Sequence, residues 1–217
     1  MKILALDIST SSGWALLEKI DVCQTQTQGQ TPKSEVRLLK HGTIINSKKV
    51  SEYGTYPWSY YNSAQDMAAK LTDLVSEHSA DVIVIEETNK SKARYSQKTL
   101  EFIHCMFLHQ NQDLNPLCGV QYINTSDWRK VSGVELSKVD KKNNAKLSKA
   151  KSTAKKNGTK LDKKKLGIKG RVNKKHKSVL RANELYNLDL KKKDDDQADA
   201  ILLGTAYAFG VKTCDGT

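Results

Sequence analysis

Acidic residues stand at the ends of three apolar segments that lie far apart in the chain. Asp7 closes the run KILALD, and Glu86, followed by Glu87, closes the run DVIVIE. Asp196 and Asp199 open the segment DDDQADAILLGTAYAF and are three positions apart, so both project from one side of a helix. Carboxylates that meet at one site repel one another, and their ionisation is costly unless a cation lies between them. The pattern therefore suggests a metal site.

Carboxylate oxygens select hard cations, in this case Mg²⁺ or Mn²⁺. Two such ions about 3.5–4 Å apart can activate a water and stabilise the leaving oxygen of a phosphodiester. Each acid also has a simpler interpretation: Asp7 as a turn residue, Glu86 or Glu87 as a strand end, and the acids at 194–196 as helix caps. The joint arrangement is less expected by chance than any one of these. It predicts metal-dependent phosphodiester hydrolysis with two ions per site.

The first three strands must place Asp7. Residues 2–7 predict a buried strand, and residues 13–18 and 36–45 predict two more strands that pair antiparallel with it. A polar stretch at 19–35 is predicted to be a long hairpin loop. Asp7 then lies at the carboxyl end of the first strand.

A fourth strand must place Glu86. The near-continuous β-branched run at 81–86 is typical of a strand covered on both faces, as in the parallel part of a mixed sheet. Open α/β sheets place their ligand sites at the carboxyl ends of parallel strands. If this strand lies beside the first, Asp7 and Glu86 meet there, and Glu87 points to the other face.

Helical periodicity fills the intervening segments. Apolar residues at three- and four-residue spacing predict helices at 57–79 and 97–109, before a short strand at 120–124. The stretch TSDWRKV is predicted to begin a helix, with Thr125 or Ser126 as its cap. KSVLRANELYN and the acidic final segment predict two more helices. The order predicts an α/β fold with an antiparallel start and a buried central sheet.

Basic residues are concentrated in one segment. Residues 138–177 hold sixteen lysines and Arg171 against Asp140 and Asp162, a net charge of +15, whereas the whole chain carries +12 and the remainder therefore −3. Lys, Asn, Ser and Gly dominate there without an apolar face. We predict one domain over 1–217 with an insertion at about 137–176 that is mobile or partly helical. Charge of this density favours nucleic acid as the partner, because binding releases counterions from phosphates.

Length and hydropathy exclude other classes of protein. A chain of 217 residues with 38% hydrophobic residues can build a sizeable core. No apolar run approaches the ~20 residues needed to cross a bilayer, and the N-terminus lacks a signal peptide's apolar stretch. We therefore expect no membrane association and an intracellular location. The scattered cysteines show no CxxC pairing, and we interpret them as reduced thiols: Cys23, Cys105, Cys118 and Cys214.

The stretches ILALDISTSSGWAL, VIVIEET and DQADAILLGTAYA, in that order, resemble RuvC-type Holliday-junction resolvases, which have the ribonuclease-H-like fold. In that family an Asp closes strand 1, a Glu follows an apolar run, and two Asp three apart open a late helix. The resemblance spans 1–16, 81–128 and 177–210. It implies a mixed α/β sheet flanked by helices and a crossover junction endodeoxyribonuclease. It also implies two Mg²⁺ or Mn²⁺ ions, held by matching residues of which the first bridges both: Asp7, Glu86, Asp196 and Asp199.

The resemblance implies further functional residues. A family lysine that approaches the scissile phosphate precedes a Ser just upstream of a helix, and Lys177 in HKSVL is its best match. Basic and aromatic residues near the acids are expected to contact DNA: Lys90, Lys92, Arg94, Tyr95, Lys174 and Lys175. An open four-way junction is two-fold symmetric, and two symmetric cuts need two sites, so we expect a homodimer. The predicted helices at 57–79 and 97–109 are candidate interface elements.

Two features depart from the family pattern. The family often has an aromatic wedge three residues after the strand-4 Glu, where this chain has Asn89, and Tyr95 is the neighbouring aromatic. The insertion at 137–176 replaces a short connection. Such departures are common among phage members, so we expect the cytoplasm of a bacterial or phage-infected cell.

Three alternatives stay open. The stretch DISTSSG also looks like the first phosphate loop of actin-like sugar kinases, but 217 residues leave no room for that fold's repeated domain, and no second Gly-rich loop is seen. A non-catalytic DNA-binding protein could retain the same fold, although the complete set of acids argues against it. A related nuclease that prefers flaps or forks would use the same chemistry.

Overall fold

A computed structural model of the chain describes residues 1–22, 33–87, 94–114, 119–158 and 170–214. Of the predicted site residues, Lys90 and Lys92 lie outside these ranges, as does Asn89.

Three antiparallel strands begin the fold. β1 (Lys2–Asp7) is an apolar run whose central residues are fully buried. β2 (Ser11–Val22) pairs with β1 and then with β3 (Lys33–Ile45). The predicted loop at 19–35 was too long, because the β2–β3 ladder continues to the pair Val22 and Lys33. Backbone hydrogen bonds make this ladder, and they do not require an apolar sequence.

Two parallel strands complete the sheet. β4 (Val82–Glu86) pairs parallel with β1, and β5 (Gly119–Ile123) pairs parallel with β4. The strand order is β3-β2-β1-β4-β5, so that β1 and β4 are interior strands. The predicted mixed α/β sheet, with an antiparallel start and a buried parallel part, is confirmed.

Two long helices cover one face of the sheet. α1 (Trp58–His78) is within one residue of its predicted ends, whereas α2 (Arg94–Leu114) extends beyond 97–109 at both ends. Their apolar sides pack on alternate residues of β1 and β4, and this core includes Leu6, Ile85, Met67 and Phe107.

Among the described residues after β5 there are four helices: α3 (Thr125–Val131), α4 (Lys138–Lys156), α5 (Lys174–Tyr186) and α6 (Asp195–Ala208). α6 is buried on most sides and packs on the second face of the sheet with α5 and α3. A Cβ at Gly204 would overlap the Leu17 side chain, so this glycine permits the close approach of α6 to the strands.

The basic insertion contains an ordered helix. α4 begins with a capping box in which Ser137 and Asp140 each accept the other's backbone N–H. Leu147 is buried, and the Asn144 side chain makes two hydrogen bonds, of 2.9 and 3.0 Å, with the Val172 backbone. The insertion is thus partly helical, as expected, and its helix over 138–156 is capped and packed rather than without a partner.

The cap of α3 also differs from the prediction. Asn124, rather than Thr125 or Ser126, is the N-cap, and its Oδ1 accepts a hydrogen bond from the Ser126 N–H at 2.9 Å. Asn and Ser are both good caps, so their order in the sequence does not decide between them.

No helix within the described ranges is both long enough and apolar enough to cross a membrane. Cys105 and Cys214 are exposed, reduced cysteines. Cys23 and Cys118 lie outside the described residues.

Candidate active site

Asp7 and Glu86 lie side by side at the carboxyl ends of β1 and β4, which are neighbouring parallel strands in the interior of the sheet. β1 and β4 run parallel with Leu6 opposite Ile85, so the next residue of each strand reaches the same edge. Alternation along the strands directs both acidic side chains to the face that packs against α6.

Glu87 points away from this site. Its Oε2 accepts hydrogen bonds from Asn124 Nδ2 at 3.0 Å and from Cys214 Sγ at 3.5 Å. Successive strand residues face opposite sides, so Glu86 alone of this pair joins Asp7.

Gly13 brings the start of α6 to the same edge. Gly13 is opposite Asp7 in the β1–β2 ladder, and a Cβ at Gly13 would overlap the Asp196 carbonyl group. A side chain at this position would therefore push the first turn of α6 away from β2. We call the place where Asp7, Glu86, Asp196 and Asp199 meet the acidic edge.

The pKa of Asp7 shows that the four acids share one electrostatic environment. Burial raises the pKa of Asp7 well above its usual value, and the charges of Glu86, Asp199 and Asp196 raise it further. Lys175 opposes this shift. The shift therefore indicates a desolvated Asp7 that lies within electrostatic range of the other three carboxylates.

Asp7 takes no part in the turn that follows it. The turn is held by the Ser9 and Ser12 side chains: Ser9 Oγ donates to the Ser11 carbonyl at 2.7 Å, and Ser12 Oγ donates to the Ser9 carbonyl at 2.8 Å. The N–H groups of Ser9 and Ser11 donate to these hydroxyls. These N–H groups are thus already bonded, which argues against a phosphate loop of the actin-like kind.

Asp199 is paired with an arginine from α3. Its side chain is 1% exposed, and Arg129 Nη2 lies 2.8 Å from its Oδ2. Burial raises the pKa of Asp199 to about 6, although Arg129 and the nearby Ser178 hydroxyl lower it. The Ser178 proton is directed to the Lys174 carbonyl at 3.3 Å, and Asp199 Oδ1 is buried without a hydrogen-bond partner within the described residues.

Glu86 is held by the same helix. Thr125 Oγ1 donates to Glu86 Oε1 at 2.7 Å, and the buried Trp128 donates from Nε1 to Oε2 at 2.9 Å. Thr125, Trp128 and Arg129 are three and four positions apart, which places them on one side of α3. The guanidinium of Arg129 also lies 4.8 Å from the centre of the Trp128 ring.

Lys175, rather than Lys177, contacts the acids. Lys175 Nζ lies 2.6 Å from Asp196 Oδ1 and 3.2 Å from Asp195 Oδ2. Burial lowers the pKa of Lys175, but the hydrogen bonds and charges of Asp196 and Asp195 outweigh it and raise that pKa above its usual value.

Lys177 instead joins α5 to α4. Its Nζ lies 2.9 Å from Asp140 Oδ2 and 3.1 Å from the Glu135 carbonyl. Assigning Lys177 to the scissile phosphate thus conflicts with its position, because residues two apart on a helix point to different sides.

The predicted DNA contacts are described only in part. Arg94 and Tyr95 begin α2, but their side chains lie outside the description. Lys174 is exposed at the start of α5, and Lys175 faces the acids.

Thr125, Trp128 and Arg129 were missed as site residues. The sequence did carry a signal: TSDWRKV follows directly after a strand parallel to β4, so the residues that open this helix lie at the same edge of the sheet as Glu86. A buried tryptophan N–H usually donates a hydrogen bond to an acceptor, and carboxylates are preferred partners of arginine side chains.

The side chains of the acidic edge have the oxygen donors that hard divalent cations prefer. Four carboxylates supply oxygen ligands, and Asp199 Oδ1 is a buried oxygen without a hydrogen bond in the described part of the protein. Lys175 and Arg129 bind two of the acids, and no group of three described His, Cys, Asp or Glu side chains has the spacing of a preformed metal site. Binding an ion would therefore require Lys175 or the carboxylates to change rotamer.

Comparison with solved structures identifies the fold. Thermus thermophilus RuvC superimposes on this chain with a TM-score of 0.58 and a sequence identity of 11%. The structure of T. thermophilus RuvC in complex with a Holliday junction substrate superimposes with a TM-score of 0.59 and a sequence identity of 9%. Each of these matches covers 98% of this chain and 99% of the other. The yeast mitochondrial Holliday junction resolvase Ydc2 matches with a TM-score of 0.50 and a sequence identity of 11%. This match covers 95% of the present chain and 77% of the Ydc2 chain.

No protein-family model and no curated protein matches the sequence. The fold of the chain is that of the RuvC-type resolvases, the ribonuclease-H-like fold, as the resemblance of the three motifs implied.

Proposed function

We propose that this protein is a metal-dependent endonuclease that resolves four-way DNA junctions. The observation that carries the proposal is the acidic edge itself: in a RuvC-like fold, burial and three further carboxylates from β4 and α6 raise the pKa of Asp7 on β1. A cluster of half-buried and buried acids is unfavourable for stability, and a catalytic role is the usual reason for such a cost.

Four residues would hold Mg²⁺ or Mn²⁺: Asp7, Glu86, Asp196 and Asp199. Bound divalent ions would activate a water and stabilise the leaving oxygen of a phosphodiester. Asp7 is central, because the other three acids all act on its pKa. We therefore place Asp7 at the centre of the set of residues that would hold two ions per site.

Three residues of the chain would orient this ligand set. Thr125 and Trp128 hold the two oxygens of Glu86, and Arg129 holds one oxygen of Asp199, which leaves Oδ1 for an ion. Hydrogen bonds of this kind fix carboxylate ligands in metal sites.

Lys175 replaces Lys177 as the proposed lysine near the scissile phosphate. It remains protonated at neutral pH because Asp196 and Asp195 raise its pKa. Released from Asp196, its ammonium group would contact a phosphate oxygen and offset the charge that develops there.

The proposed substrate is branched DNA. The T. thermophilus enzyme with a similar fold has a structure with Holliday junction DNA, and α4 supplies exposed lysines that suit the phosphates of a duplex arm. These lysines carry no base code, so they add affinity without sequence preference.

A homodimer would provide the two sites that a two-fold symmetric junction needs. On α2, Phe102 is 40% exposed and Leu108 is 37% exposed, and these two residues are candidates for the dimer interface. Equilibrium sedimentation over a concentration series would measure the oligomeric state.

The test is a panel of four-way, forked, flap and linear DNA, assayed with the metal omitted and then restored. We expect symmetric cleavage of the four-way junction that requires Mg²⁺ or Mn²⁺. Asp7→Asn should bind the junction and cut it more than about 100-fold more slowly, because even residues that merely orient a metal ligand cost 10–100-fold. Wild-type cleavage by this variant would refute the metal-ligand assignment, and cleavage confined to flaps or forks would favour the related nuclease.

A non-catalytic DNA-binding protein is the second candidate. Lys175 and Arg129 already neutralise two of the acids, and no described trio of acids has metal-ligand spacing. In that case the chain would bind junctions and titration calorimetry would detect no Mn²⁺ binding that depends on Asp7.

A further inference from the structure

A constrained segment lies at the edge of the sheet that carries the acids. Ile45 is opposite Ser11 in the β2–β3 ladder and Asp7 is opposite Gly13 in the β1–β2 ladder, so β3 ends where β1 ends. We call residues 46–58, which lead from β3 into α1, the rim segment. α1 then runs to the opposite edge, where the Asp81 N–H bonds to the Lys2 carbonyl. The rim segment is thus on the α1 side of the acidic edge.

Hydrogen bonds around Asp66 of α1 hold the rim segment in place. The Asp66 carboxylate accepts from the Ser47 N–H at 2.8 Å, from the Ser47 hydroxyl at 3.1 Å and from the Tyr53 hydroxyl at 2.6 Å. Lys70 Nζ bonds to Asp66 at 3.2 Å and to the Ile45 carbonyl at 2.8 Å. Burial raises the pKa of Asp66, but these bonds outweigh it and lower the pKa to about 2.

The fixed segment exposes large aromatic side chains. Tyr56 and Trp58 are each 62% exposed. Tyr60 packs edge-on against Tyr56 at 5.8 Å, and Lys98 of α2 lies 5.4 Å from the centre of the Tyr56 ring. Aromatic rings held in water beside a cation are the usual elements of a surface on which nucleic-acid bases stack.

The same segment exposes two lysines. Lys48 and Lys49 are exposed, and neither has an ion-pair partner in the part of the chain that the structure describes. They border an open pocket of about 530 Å³, lined by Thr10, Ile45, Asn46, Ser47, Lys48, Lys49, Val50 and Glu52. Glu52 is the single acid of this lining, and its carboxylate accepts the Lys49 N–H at 3.2 Å. The surface is therefore cationic and aromatic.

We propose that the rim segment is a DNA-contact surface, in which Lys48 and Lys49 bind backbone phosphates and a base stacks on Trp58 or Tyr56. α4 joins α5 on the other side of the sheet through Lys177 and Asp140. A DNA strand that reaches the acidic edge would then be held from both sides. The inference rests on the proposed action on DNA, but its test measures binding and not cleavage.

Charge complementarity identifies DNA rather than a second copy of this chain as the occupant. A two-fold interface brings the same patch of both copies together. A patch with the exposed Lys48, Lys49 and Lys98 would repel its own copy, whereas these cations attract a phosphate backbone.

The test compares two rim variants with the wild type, without divalent metal so that no cleavage occurs. Binding of a four-way junction is measured by fluorescence anisotropy over a salt series. Lys48→Gln/Lys49→Gln should lower the salt slope by about 1 to 2, since each lost phosphate contact contributes about 0.9. Trp58→Ala should weaken binding about 5- to 100-fold, as loss of base stacking does.

Matched controls change the same chemistry away from the acidic edge. Lys2→Gln/Lys19→Gln removes two charges where β1 begins, and Phe209→Ala removes an aromatic that is 60% exposed beyond the far end of α6. Both controls should bind the junction like wild type, apart from a uniform effect of net charge. Acrylamide quenching adds a direct readout, because DNA should shield Trp58, while Trp128 is buried throughout.

The outcomes separate this inference from the proposed function. Wild-type affinity and salt slope in both rim variants would overturn the inference and leave the nuclease proposal intact. If raising the protein concentration, rather than adding DNA, protects Trp58 from acrylamide quenching, the inference is also overturned. The surface would then be an interface between copies of the chain. A wild-type protein that binds junctions through the rim but does not cut them would support the surface and refute the nuclease.

Discussion

At the scale of single residues, Asp7 is a carboxylate that folding makes harder to ionise. Burial and three neighbouring acids raise its pKa, and Lys175 offsets this in part. The native state therefore binds a proton at Asp7 more tightly than the unfolded chain does. An ionised Asp7 accordingly costs stability at neutral and alkaline pH, a cost that a bound cation would remove.

We expect Asp7→Asn to stabilise the protein at pH 8 in EDTA. The gain should appear as a rise in Tm, with about 1 kcal/mol corresponding to roughly 2–4 °C in a chain of this length. As the pH falls through the raised native pKa, wild-type Asp7 takes up its proton and the difference should shrink. Thermal unfolding at pH 8 and pH 5 measures this, and a variant less stable than wild type at pH 8 would contradict the interpretation.

The hydrogen bond from Thr125 to Glu86 offers a mild test of the orientation of the ligands. Thr125→Val keeps the shape of the side chain and removes the donor that lies 2.7 Å from Glu86 Oε1. We expect Mn²⁺ affinity, measured by calorimetry without DNA, to fall about 10–100-fold. The KM for junction DNA should stay unchanged, because Thr125 contacts the carboxylate and not the substrate.

Thr125→Ser is the conservative control, since it retains the hydroxyl. It should restore most of the Mn²⁺ affinity. Equal losses in the Val and Ser variants would show that packing, and not the hydrogen bond, is what matters at this position.

At the scale of elements, the sheet supplies two acids of the acidic edge, and the two helices α3 and α6 complete it. Three residues on one side of α3 hold Glu86 and Asp199, and α6 supplies Asp196 and Asp199 from its first two turns. α6 reaches the edge because Gly13 leaves room for the Asp196 backbone. Contacts between elements, more than loops, therefore set the distances among the carboxylates.

We expect Gly13→Ala to displace the first turn of α6. The added methyl would overlap backbone atoms, which cannot move aside as a flexible side chain can, and overpacking of this kind costs about 1–3 kcal/mol. Metal binding and junction cleavage should both fall. Urea denaturation and calorimetry with Mn²⁺ measure the two effects.

Gly119→Ala is the matched control, because a Cβ at that strand position meets no atom within 4 Å. It should behave like wild type in both measurements. Normal Mn²⁺ binding by Gly13→Ala would mean that the position of α6 does not control the ligand set.

At the scale of the whole molecule, the charge is separated. The acids converge at one edge of the sheet, while α4 carries much of the +15 of residues 138–177. Helical geometry places Lys142, Lys149 and Lys156 opposite the buried Leu147, at 100° per residue. These lysines therefore point to solvent, where phosphates of a duplex arm would lie.

Replacing these three lysines of α4 with glutamine should flatten the salt dependence of DNA binding. We expect the slope of log K against log salt to fall by up to about 3, at about 0.9 for each phosphate contact. The fold should be unaffected, because Leu147 and the bonds of Asn144 to Val172 remain. The Lys2→Gln/Lys19→Gln variant controls for net charge, and an unchanged slope in the triple variant would place the duplex elsewhere.

Hydrophobic periodicity determined most of the secondary structure and the strand pairing, because burying apolar side chains is the dominant driving force and leaves a regular pattern in the chain. It also determined that Asp7 and Glu86 meet, since parallel strands end at one edge. The extent of the β2–β3 ladder and the order in α4 were not predictable in this way. Backbone hydrogen bonds and capping made those elements, and polar sequences form them without an apolar signature.

The tertiary structure alone decided which lysine reaches the acids and which residues hold them. Lys175 and Lys177 are neighbours in an equally basic stretch, and the docking of α5 against α6 and α4 gives them different partners. The hydrogen bonds from α3 to the two acids also join distant segments. Glu86 is about 40 positions from Thr125 and Trp128, and Asp199 is 70 positions from Arg129. Contacts of this kind depend on the angle and distance at which helices pack, and composition and spacing along one chain do not specify these.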